Sequence, residues 1–145
     1  MTRLEFDAKL VAEAKSWLGV GFRNNGRTRS QGVDCLGLLL CVYGGIGFEL
    51  PPESLTVAYR SDWYLHTISS DMLAALRTYG CEVPVREMLV GDVLYFAPGR
   101  LYRKGTDLVT HAGIYVGGGR FVHSATGRGV MESDLSVTAW SKSVA

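Results

Sequence analysis

The residues best suited to chemistry are Asp34 and Cys35, in the stretch RSQGVDCLGLLLCVYGGIG at residues 29–47. A polar, glycine-bearing loop leads into them and an apolar run follows. This pattern predicts a buried helix that begins at Cys35, with Asp34 as its N-cap. A thiol in the first helical turn lies near unsatisfied backbone N–H groups, which lower its pKa and can stabilise an oxyanion. Taken alone, Cys35 is equally compatible with a small buried apolar residue.

Two histidines farther along the chain are candidate bases for such a thiol. His111 opens the strand-like segment HAGIYVG and His123 lies within the next one, GRFVHSA, with three glycines at 117–119 between them. Because glycine accepts positive φ, these residues predict a tight hairpin with the histidines near each other on paired strands. A base on one strand with an orienting partner on the next is a general arrangement for activating a nucleophile. His66 has no partner that the sequence identifies.

The cysteines and histidines also allow a metal interpretation. Cys35, His111 and His123 could provide the three protein ligands of a catalytic zinc site, although zinc would not require a cysteine at a helix N-terminus. Cys41 and Cys81 fit structural positions. Three cysteines without a CxxC pair argue against a disulfide framework and against a structural zinc site. The thiol nucleophile is therefore the favoured interpretation.

The composition predicts one globular domain over residues 1–145. Hydrophobic residues make up 47%, charged residues make up 20% and the net charge is +1, so there is no electrostatic basis for binding nucleic acid. No apolar run reaches the ~20 residues that cross a bilayer, so we expect no membrane insertion. The first residues, MTRLEFDAKLVAEAKSW, lack the features of a secretory signal. We expect synthesis in the cytoplasm and, if the protein is exported, another route of exit.

Predicted helices precede predicted strands, which is the order of an α+β fold. Apolar spacing predicts a first helix over 6–18, with Asp7 placed to cap its start and Gly19 to end it. The apolar helix at Cys35 should run to residue 44. An irregular surface excursion over 48–69 and a third helix over 70–79 should follow. The predicted antiparallel strands are GDVLYFA (91–97), HAGIYVG (111–117), GRFVHSA (119–125) and GVMESDL (129–135), with Asp92 as a turn or strand-start residue.

Four of these segments, GVDCLGLL, GDVLYF, THAGIYVGGGRFVHSA and GVMESDL, together resemble the NlpC/P60 cysteine peptidases over about residues 6 to 135. The resemblance implies a papain-like α+β fold, in which the nucleophile helix packs on an antiparallel sheet of about five strands. It also implies hydrolysis of an amide bond in peptidoglycan stem peptides, through a thioester and without a cofactor. By the same resemblance Cys35 would be the nucleophile, His111 the general base and His123 the group that orients His111.

Two details resemble a narrower group, the NlpC/P60 proteins encoded with phage tails. Leu36 stands where most members carry serine, and the segment AYRSDW lies at 58–63. This resemblance implies association with a virion, with phage tail-tip proteins as possible partners. One position departs from the family. Many members have Pro-Tyr after the first helix, with the tyrosine hydroxyl near the nucleophile, and here the corresponding residues are Gly21 and Phe22.

Several polar and aromatic side chains are candidates for the substrate walls. Basic side chains could bind stem-peptide carboxylates, although a solvated loop and a packed excursion explain these residues equally well. The candidates are Tyr59, Trp63, Tyr64, Arg100 and Arg103. Two rival functions use the same fold: a tail component that has kept a peptidase-like fold as an adaptor, and an amidase or acyltransferase that acts on another substrate.

Overall fold

The computed structural model describes residues 1–48, 80–96 and 111–136 of the chain. It confirms the α+β class. In chain order the elements are helix α1 (Arg3–Ser16), strands β1 (Arg27–Thr28) and β2 (Gly32–Val33), helix α2 (Cys35–Gly45), a short 3-10 helix (Val85–Glu87) and strands β3 (Val93–Phe96), β4 (His111–Gly117), β5 (Arg120–Ala125) and β6 (Gly129–Asp134). Two predicted segments, the excursion over 49–69 and the helix over 70–79, lie outside the described residues.

Helix α1 begins earlier than predicted, because its cap is Thr2 rather than Asp7. The Thr2 hydroxyl accepts from the Glu5 backbone N–H, and the Glu5 carboxylate accepts from the Thr2 N–H, which completes a capping box. Asp7 lies inside the helix and forms an ion pair with Arg3 at 2.8 Å. The prediction for this helix was therefore correct in type and wrong at its start.

The main sheet is antiparallel with the order β3-β4-β5-β6, so each strand pairs with its neighbour in sequence. The described residues contribute four strands to it, against a prediction of about five. They also contain a two-stranded sheet, β1-β2, that was not predicted. Strand β4 has the predicted bounds, and the other three strands of the main sheet are slightly shorter than predicted. Gly118, with φ of 63°, lies in the predicted glycine hairpin between β4 and β5.

The two faces of the main sheet contact different groups of side chains. One face contributes Ala112, Ile114 and Val122 to a core shared with helices α1 and α2, where Leu10 and Leu38 are fully buried. The opposite face carries a smaller cluster built on Leu94, Phe96 and Phe121. Because side chains cover both faces of the sheet, the groups of the sheet that lie under these two clusters are shielded from water.

The start of β3 is tied to both the adjoining turn and helix α2. Asp92 accepts a hydrogen bond from the Leu89 N–H at 2.8 Å, which confirms it as a turn residue before the strand. The Tyr43 hydroxyl of α2 donates to the carbonyl of Gly91. Helix α2 is thereby held against the sheet near its C-terminal end, while its N-terminal end carries the cysteine.

Candidate active site

Cys35 is the first residue of α2, as predicted, and Asp34 is its N-cap. The Asp34 backbone is extended, with φ of −90° and ψ of −176°, and its carboxylate accepts from the Gly37 N–H at 2.7 Å. Both side chains are buried: Asp34 is 1% exposed and Cys35 is 6% exposed. The cap therefore fixes the thiol at the helix start inside the protein rather than at its surface.

The Asp34 carboxylate also organises the loop that precedes it. One oxygen accepts from the Asn25 backbone N–H at 2.7 Å, and the other accepts from Arg27 Nη1 at 3.1 Å. Arg27 in turn donates to the Gly26 carbonyl at 2.8 Å. Sequence reasoning predicted the cap alone and missed these two further partners. A buried carboxylate needs this kind of compensation, because an uncompensated charge away from water is costly.

Two glycines let the loop and the helix approach each other closely. A Cβ atom at Gly37 would lie 2.2 Å from the Gly26 carbonyl oxygen and 2.8 Å from Arg27 Nη1. A Cβ atom at Gly26 would lie 2.2 Å from the Gly32 carbonyl oxygen. No side chain fits at these distances, so glycine is required at both positions for Asp34 to be enclosed.

Phe22 lies beside strand β2, which leads into Asp34 and Cys35. It forms a parallel bridge with Val33, and the Val33 N–H donates to the Gly21 carbonyl at 3.0 Å. The buried Ser124 hydroxyl of β5 donates to the Val33 carbonyl at 2.7 Å. The backbone of Phe22 is thus fixed next to β2, the strand that precedes Asp34 and Cys35. Ser124 ties the same segment to the main sheet.

The two histidines are in direct contact. His111 Nε2 and His123 Nδ1 are 2.7 Å apart, so the rings share one hydrogen bond. Their predicted proximity on paired strands is therefore confirmed. His111 opens β4, while His123 lies mid-strand in β5 and is fully buried.

The histidine pair continues to a third side chain that sequence reasoning missed. His123 Nε2 lies 2.8 Å from the hydroxyl oxygen of Ser133 on β6. Both ring nitrogens of His123 are therefore engaged, one with His111 and one with Ser133. His111, His123 and Ser133 form a hydrogen-bonded row across three neighbouring strands, which we call the histidine row.

The row is oblique because of the strand register. His123 pairs directly with Met131, and Phe121 pairs with Ser133, so Ser133 is two residues along β6 from the position opposite His123. Between β4 and β5 the register shifts near the hairpin, between Tyr115 and Gly117. Residues offset by two on adjacent strands share a face and can touch when their side chains are long.

Gly113 makes room for this arrangement on β4. A Cβ atom there would lie 2.9 Å from the Phe121 ring, 3.1 Å from the Val122 carbonyl oxygen and 3.2 Å from His123 Cβ. The Phe121 ring, the Val122 carbonyl and the Cβ atom of His123 therefore occupy the space that a side chain at position 113 would need. This explains in packing terms why a glycine follows so soon after His111.

Aromatic rings surround the histidine row on the second face of the sheet. The Phe121 and His123 ring centres are 4.6 Å apart, and the Phe96 and His111 ring centres are 5.7 Å apart. Burial lowers the His123 pKa to about 4, and burial together with the His123 neighbour lowers the His111 pKa to about 3. Both imidazoles are consequently neutral at pH 7.

The Cys35 thiol meets the sheet beside His111. The backbone N–H of Ala112, the residue after His111, hydrogen-bonds the Cys35 sulfur, as do the N–H groups of Cys35 and Leu36. These donors lower the thiol pKa, but burial and the neighbouring Asp34 carboxylate raise it more, to about 12. The predicted lowering of the pKa was therefore wrong for the ligand-free protein, because burial outweighs the helix N-terminus.

The remaining candidates separate into described and undescribed positions. Cys41 is half-buried, and its thiol donates to the Arg27 carbonyl at 3.2 Å, which fits a structural position. Cys81 is exposed rather than packed. The proposed wall residues lie outside the described residues, as does His66: Tyr59, Trp63, Tyr64, Arg100 and Arg103.

Two further properties concern metals and membranes. Among residues 1–48, 80–96 and 111–136, no group of three or more His, Cys, Asp or Glu side chains is arranged to hold a metal ion. A zinc ion on His123 would have to displace a hydrogen bond to His111 or to Ser133. Within the same described part of the chain, neither helix is long and apolar enough to cross a membrane.

The buried cysteine at a helix start and the antiparallel sheet beside it define a papain-like α+β domain. A model of the NlpC/P60 family matches residues 19–145, and the chain belongs to this family of cysteine hydrolases. The match covers the helix with Cys35, every strand of the main sheet and all three members of the histidine row. The family resemblance predicted from the sequence segments is thereby confirmed.

Curated relatives cover most of this chain but different fractions of their own length. The chain is 31% identical over 135 residues to the gamma-DL-glutamyl hydrolase of Bacillus subtilis, which is 92% of this chain and 27% of that protein. It is 29% identical over 136 residues to the probable endopeptidase NlpC of Escherichia coli, covering 93% of this chain and 72% of the relative. A probable endopeptidase NlpC homolog of Haemophilus influenzae is 26% identical and is matched over 58% of its length.

Solved structures confirm the fold. A lipoprotein-like NLP/P60 family protein of Staphylococcus aureus superposes with a TM-score of 0.67 at 26% identity, covering 97% of this chain and 39% of that one. The NlpC/p60 domain of peptidoglycan hydrolase SagA superposes with a TM-score of 0.65 at 22% identity, covering 92% of both chains.

Proposed function

We propose that this chain is a cysteine hydrolase that cleaves an amide bond in peptidoglycan stem peptides. Cys35 is the nucleophile, His111 the general base and His123 the residue that orients His111. The observation that carries the proposal is the 2.7 Å contact between the two histidines. The Cys35 sulfur lies beside this pair, where it accepts a hydrogen bond from the backbone N–H of Ala112, the residue that follows His111. The relatives support the substrate class, since they are named as a gamma-DL-glutamyl hydrolase, endopeptidases and a murein DD-endopeptidase.

The first half of the reaction begins from a neutral thiol and a neutral imidazole. As the Cys35 sulfur bonds to the amide carbonyl carbon, its proton passes to His111 Nδ1, because His111 Nε2 is engaged with His123. The backbone N–H groups beside the sulfur are placed to stabilise the oxyanion. His111 then gives the proton to the leaving amine nitrogen, the C–N bond breaks, and a thioester remains on Cys35.

The second half uses water as the nucleophile. His111 removes a proton from water as its oxygen bonds to the thioester carbonyl carbon, the C–S bond breaks, and the sulfur recovers the proton from His111. Since the thiol starts protonated, proton transfer accompanies attack rather than preceding it. No cofactor takes part in either half.

The test is incubation of the purified chain with muropeptides, with products identified by mass spectrometry. We expect cleavage of one stem-peptide bond that is lost in Cys35→Ala and retained in Cys81→Ala, since Cys81 is exposed and outside the site. Circular dichroism on each variant establishes that it is folded. Absence of cleavage by the folded wild-type chain, or cleavage that persists in Cys35→Ala, would contradict the proposal.

A non-catalytic role is the second candidate, and two observations favour it. Phe22 has no hydroxyl to present at the nucleophile segment, and the Cys35 thiol is protonated in the ligand-free protein. A tail component that keeps the fold as an adaptor would bind cell-wall fragments or tail-tip proteins without turnover. The muropeptide experiment separates the two, because the adaptor gives no product with any variant.

Two finer aspects stay predictions. Association with a phage tail follows from the resemblance at Leu36 and AYRSDW. Mass spectrometry of purified phage particles produced by the source organism would test it, by showing whether this chain is among their proteins. Transfer of the acyl group to an amine rather than to water would make the chain an acyltransferase. Adding a primary amine to the muropeptide reaction tests this, since an amide product would then replace the free acid.

A further inference from the structure

The histidine row contains one member to which the proposed mechanism gives no role, and the row is directional. We propose that Ser133 is a positioning residue: its hydroxyl accepts a hydrogen bond from His123 Nε2–H and so keeps both histidines in the tautomer that lets His111 take the nucleophile's proton. This inference rests on the proposed function for its catalytic consequence, whereas the tautomers themselves can be measured without any substrate.

Two arrangements of protons satisfy the observed contacts. In the first, His111 Nε2–H donates to His123 Nδ1, and His123 Nε2–H donates to Ser133 at 2.8 Å. In the second, every donor and acceptor is reversed, so that the Ser133 hydroxyl donates to His123 and His123 Nδ1–H donates to His111. A neutral imidazole carries one N–H and one lone pair, so the tautomer of one ring fixes that of the next.

The two arrangements differ at the nitrogen that must act as the base. In the first, His111 carries its proton on Nε2 and has a lone pair on Nδ1. In the second, His111 Nδ1 already carries a proton and cannot accept another. The thiol of Cys35 is protonated, so only the first arrangement offers an acceptor on His111 for that proton. Productive chemistry therefore needs Ser133 as an acceptor.

Burial makes the identity of the residue at position 133 matter. His123 is fully buried, and Ser133 is 8% exposed to solvent. A ring nitrogen in such a place cannot exchange its protein partner for bulk water. Removal of the Ser133 hydroxyl would leave His123 Nε2 without its partner in the row, and the preference between the two tautomers would be lost.

As His111 becomes positively charged in the proposed reaction, the hydrogen bonds of the histidine row also stabilise that charge. The His111 Nε2–H bond to His123 Nδ1 becomes charge-assisted and shortens, and the His123 Nε2–H bond to Ser133 strengthens in the same direction. Ser133 thus stabilises the charged form of His111 through His123, without touching the substrate.

The tautomers are measured by long-range ¹H–¹⁵N NMR on protein labelled at histidine, without substrate. The chain has three histidines, so the spectra contain three rings, and His66→Gln identifies one of them. We expect His123 to carry its proton on Nε2 in the wild type. Ser133→Ala should mix its tautomers, and Ser133→Thr, which keeps the hydroxyl, should restore the wild-type pattern.

Ser124→Ala is the matched control for this measurement. Ser124 is another buried serine of the same sheet, but its hydroxyl bonds the Val33 carbonyl and not a histidine. Its variant should leave both histidine tautomers unchanged. A wild-type His123 with its proton on Nδ1, or a Ser133→Ala protein with unchanged tautomers, would overturn the assignment.

Kinetics then separate positioning from packing. In Ser133→Ala we expect kcat to fall on the order of tenfold, KM to change little and the pH profile to shift, with recovery in Ser133→Thr. Unchanged kcat would overturn the catalytic part of the inference. If the wild type has the expected tautomers but cleaves no muropeptide, the proposed hydrolase function fails and the tautomer assignment stands.

Discussion

Polar groups are buried at both ends of the site, and the two ends compensate for this burial in opposite ways. The nucleophile end, so named because it carries Cys35 as the proposed nucleophile, keeps a charge: the Asp34 carboxylate is buried but is satisfied by two backbone N–H groups and by Arg27. The base end, which carries His111 as the proposed base, keeps none, since His111 and His123 are both neutral and share a hydrogen bond. Fixed charge thus holds backbone shape at one end, whereas under the proposed function proton transfer would fall to neutral groups that can change charge.

This contrast predicts that the two ends fail differently when they are mutated. Substitutions at the base end should cost activity more than stability, and substitutions at the nucleophile cap should cost stability first. The following experiments test whether activity and stability depend on the two ends in this way.

The largest expected effect is on catalysis, from His111→Ala. Loss of the base should lower kcat/KM by about 10²–10⁴-fold, the usual contribution of general acid–base catalysis. Stability should change much less, because His111 is only partly buried at the start of a strand. Kinetics on muropeptides and urea unfolding of the same protein provide the two readouts. A variant that unfolds readily but turns over normally would reverse the assignment of this end.

The next effect is on stability, from Asp34→Ala. Removing the carboxylate strands the Arg27 guanidinium and deprives three donors of their acceptor, which should cost about 3–5 kcal/mol in the free energy of unfolding. Urea unfolding measures this loss. Asp34→Asn keeps the shape and part of the hydrogen bonding, so it should lose distinctly less. Equal losses in both variants would show that shape, and not charge, holds the loop.

The third prediction concerns acid. The folded-state pKa values of His111 and His123, about 3 and about 4, lie below the unfolded value near 6.5. Between these values the unfolded chain binds more protons, so stability is complete above about pH 6.5 and falls as pH decreases, by about 1.4 kcal/mol per pH unit for each proton. Urea unfolding between pH 7 and pH 4 measures the slope.

A double variant provides the control for that slope. With His111→Gln and His123→Gln together, the contribution of the pair should vanish and the stability curve between pH 7 and pH 4 should flatten. A slope equal to that of the wild type would mean that other groups cause the acid sensitivity and that the histidine row is not held neutral by burial.

The smallest expected effect comes from Gly113→Ala. The added methyl group meets the Phe121 ring, the Val122 carbonyl and His123 Cβ, so overpacking should cost about 1–3 kcal/mol and displace the His123 ring. Gly21→Ala is a matched stability control, because a Cβ atom there has no neighbour within 4 Å. Thermal unfolding of the two variants compares them directly. Equal midpoints would show that the sheet opens to accept the methyl group.

Local pattern was enough to predict the helix start at Cys35 and the paired strands that carry His111 and His123. The change from polar loop to apolar run located Asp34 as a cap, and the glycine hairpin brought His111 and His123 together. The true start of α1 also has a local signal, since Thr2 and Glu5 have the spacing of a capping box, and this signal is a better guide than Asp7.

Tertiary features could not be predicted in this way. The register shift between Tyr115 and Gly117 decides which residues of neighbouring strands meet, and nothing in the local sequence states it. Ser133 meets His123 diagonally through the register of a different pair, β5 and β6, which places Phe121 opposite Ser133, and the local sequence does not state that register either. The thiol pKa of Cys35 is a second example. The helix N-terminus is a local feature that the sequence shows, whereas the burial that outweighs it depends on packing against the sheet.

The high thiol pKa of Cys35 has a consequence for chemical durability. Peroxide and other oxidants attack the thiolate, and the sulfenic acid they form leads on to irreversible oxidation states. With a pKa near 12, almost none of the resting Cys35 is in the vulnerable form at neutral pH. In the proposed mechanism the sulfur would become nucleophilic only while His111 takes its proton. On that mechanism its reactivity would be confined to the moments of turnover, and burial of the resting thiol would protect it against oxidation.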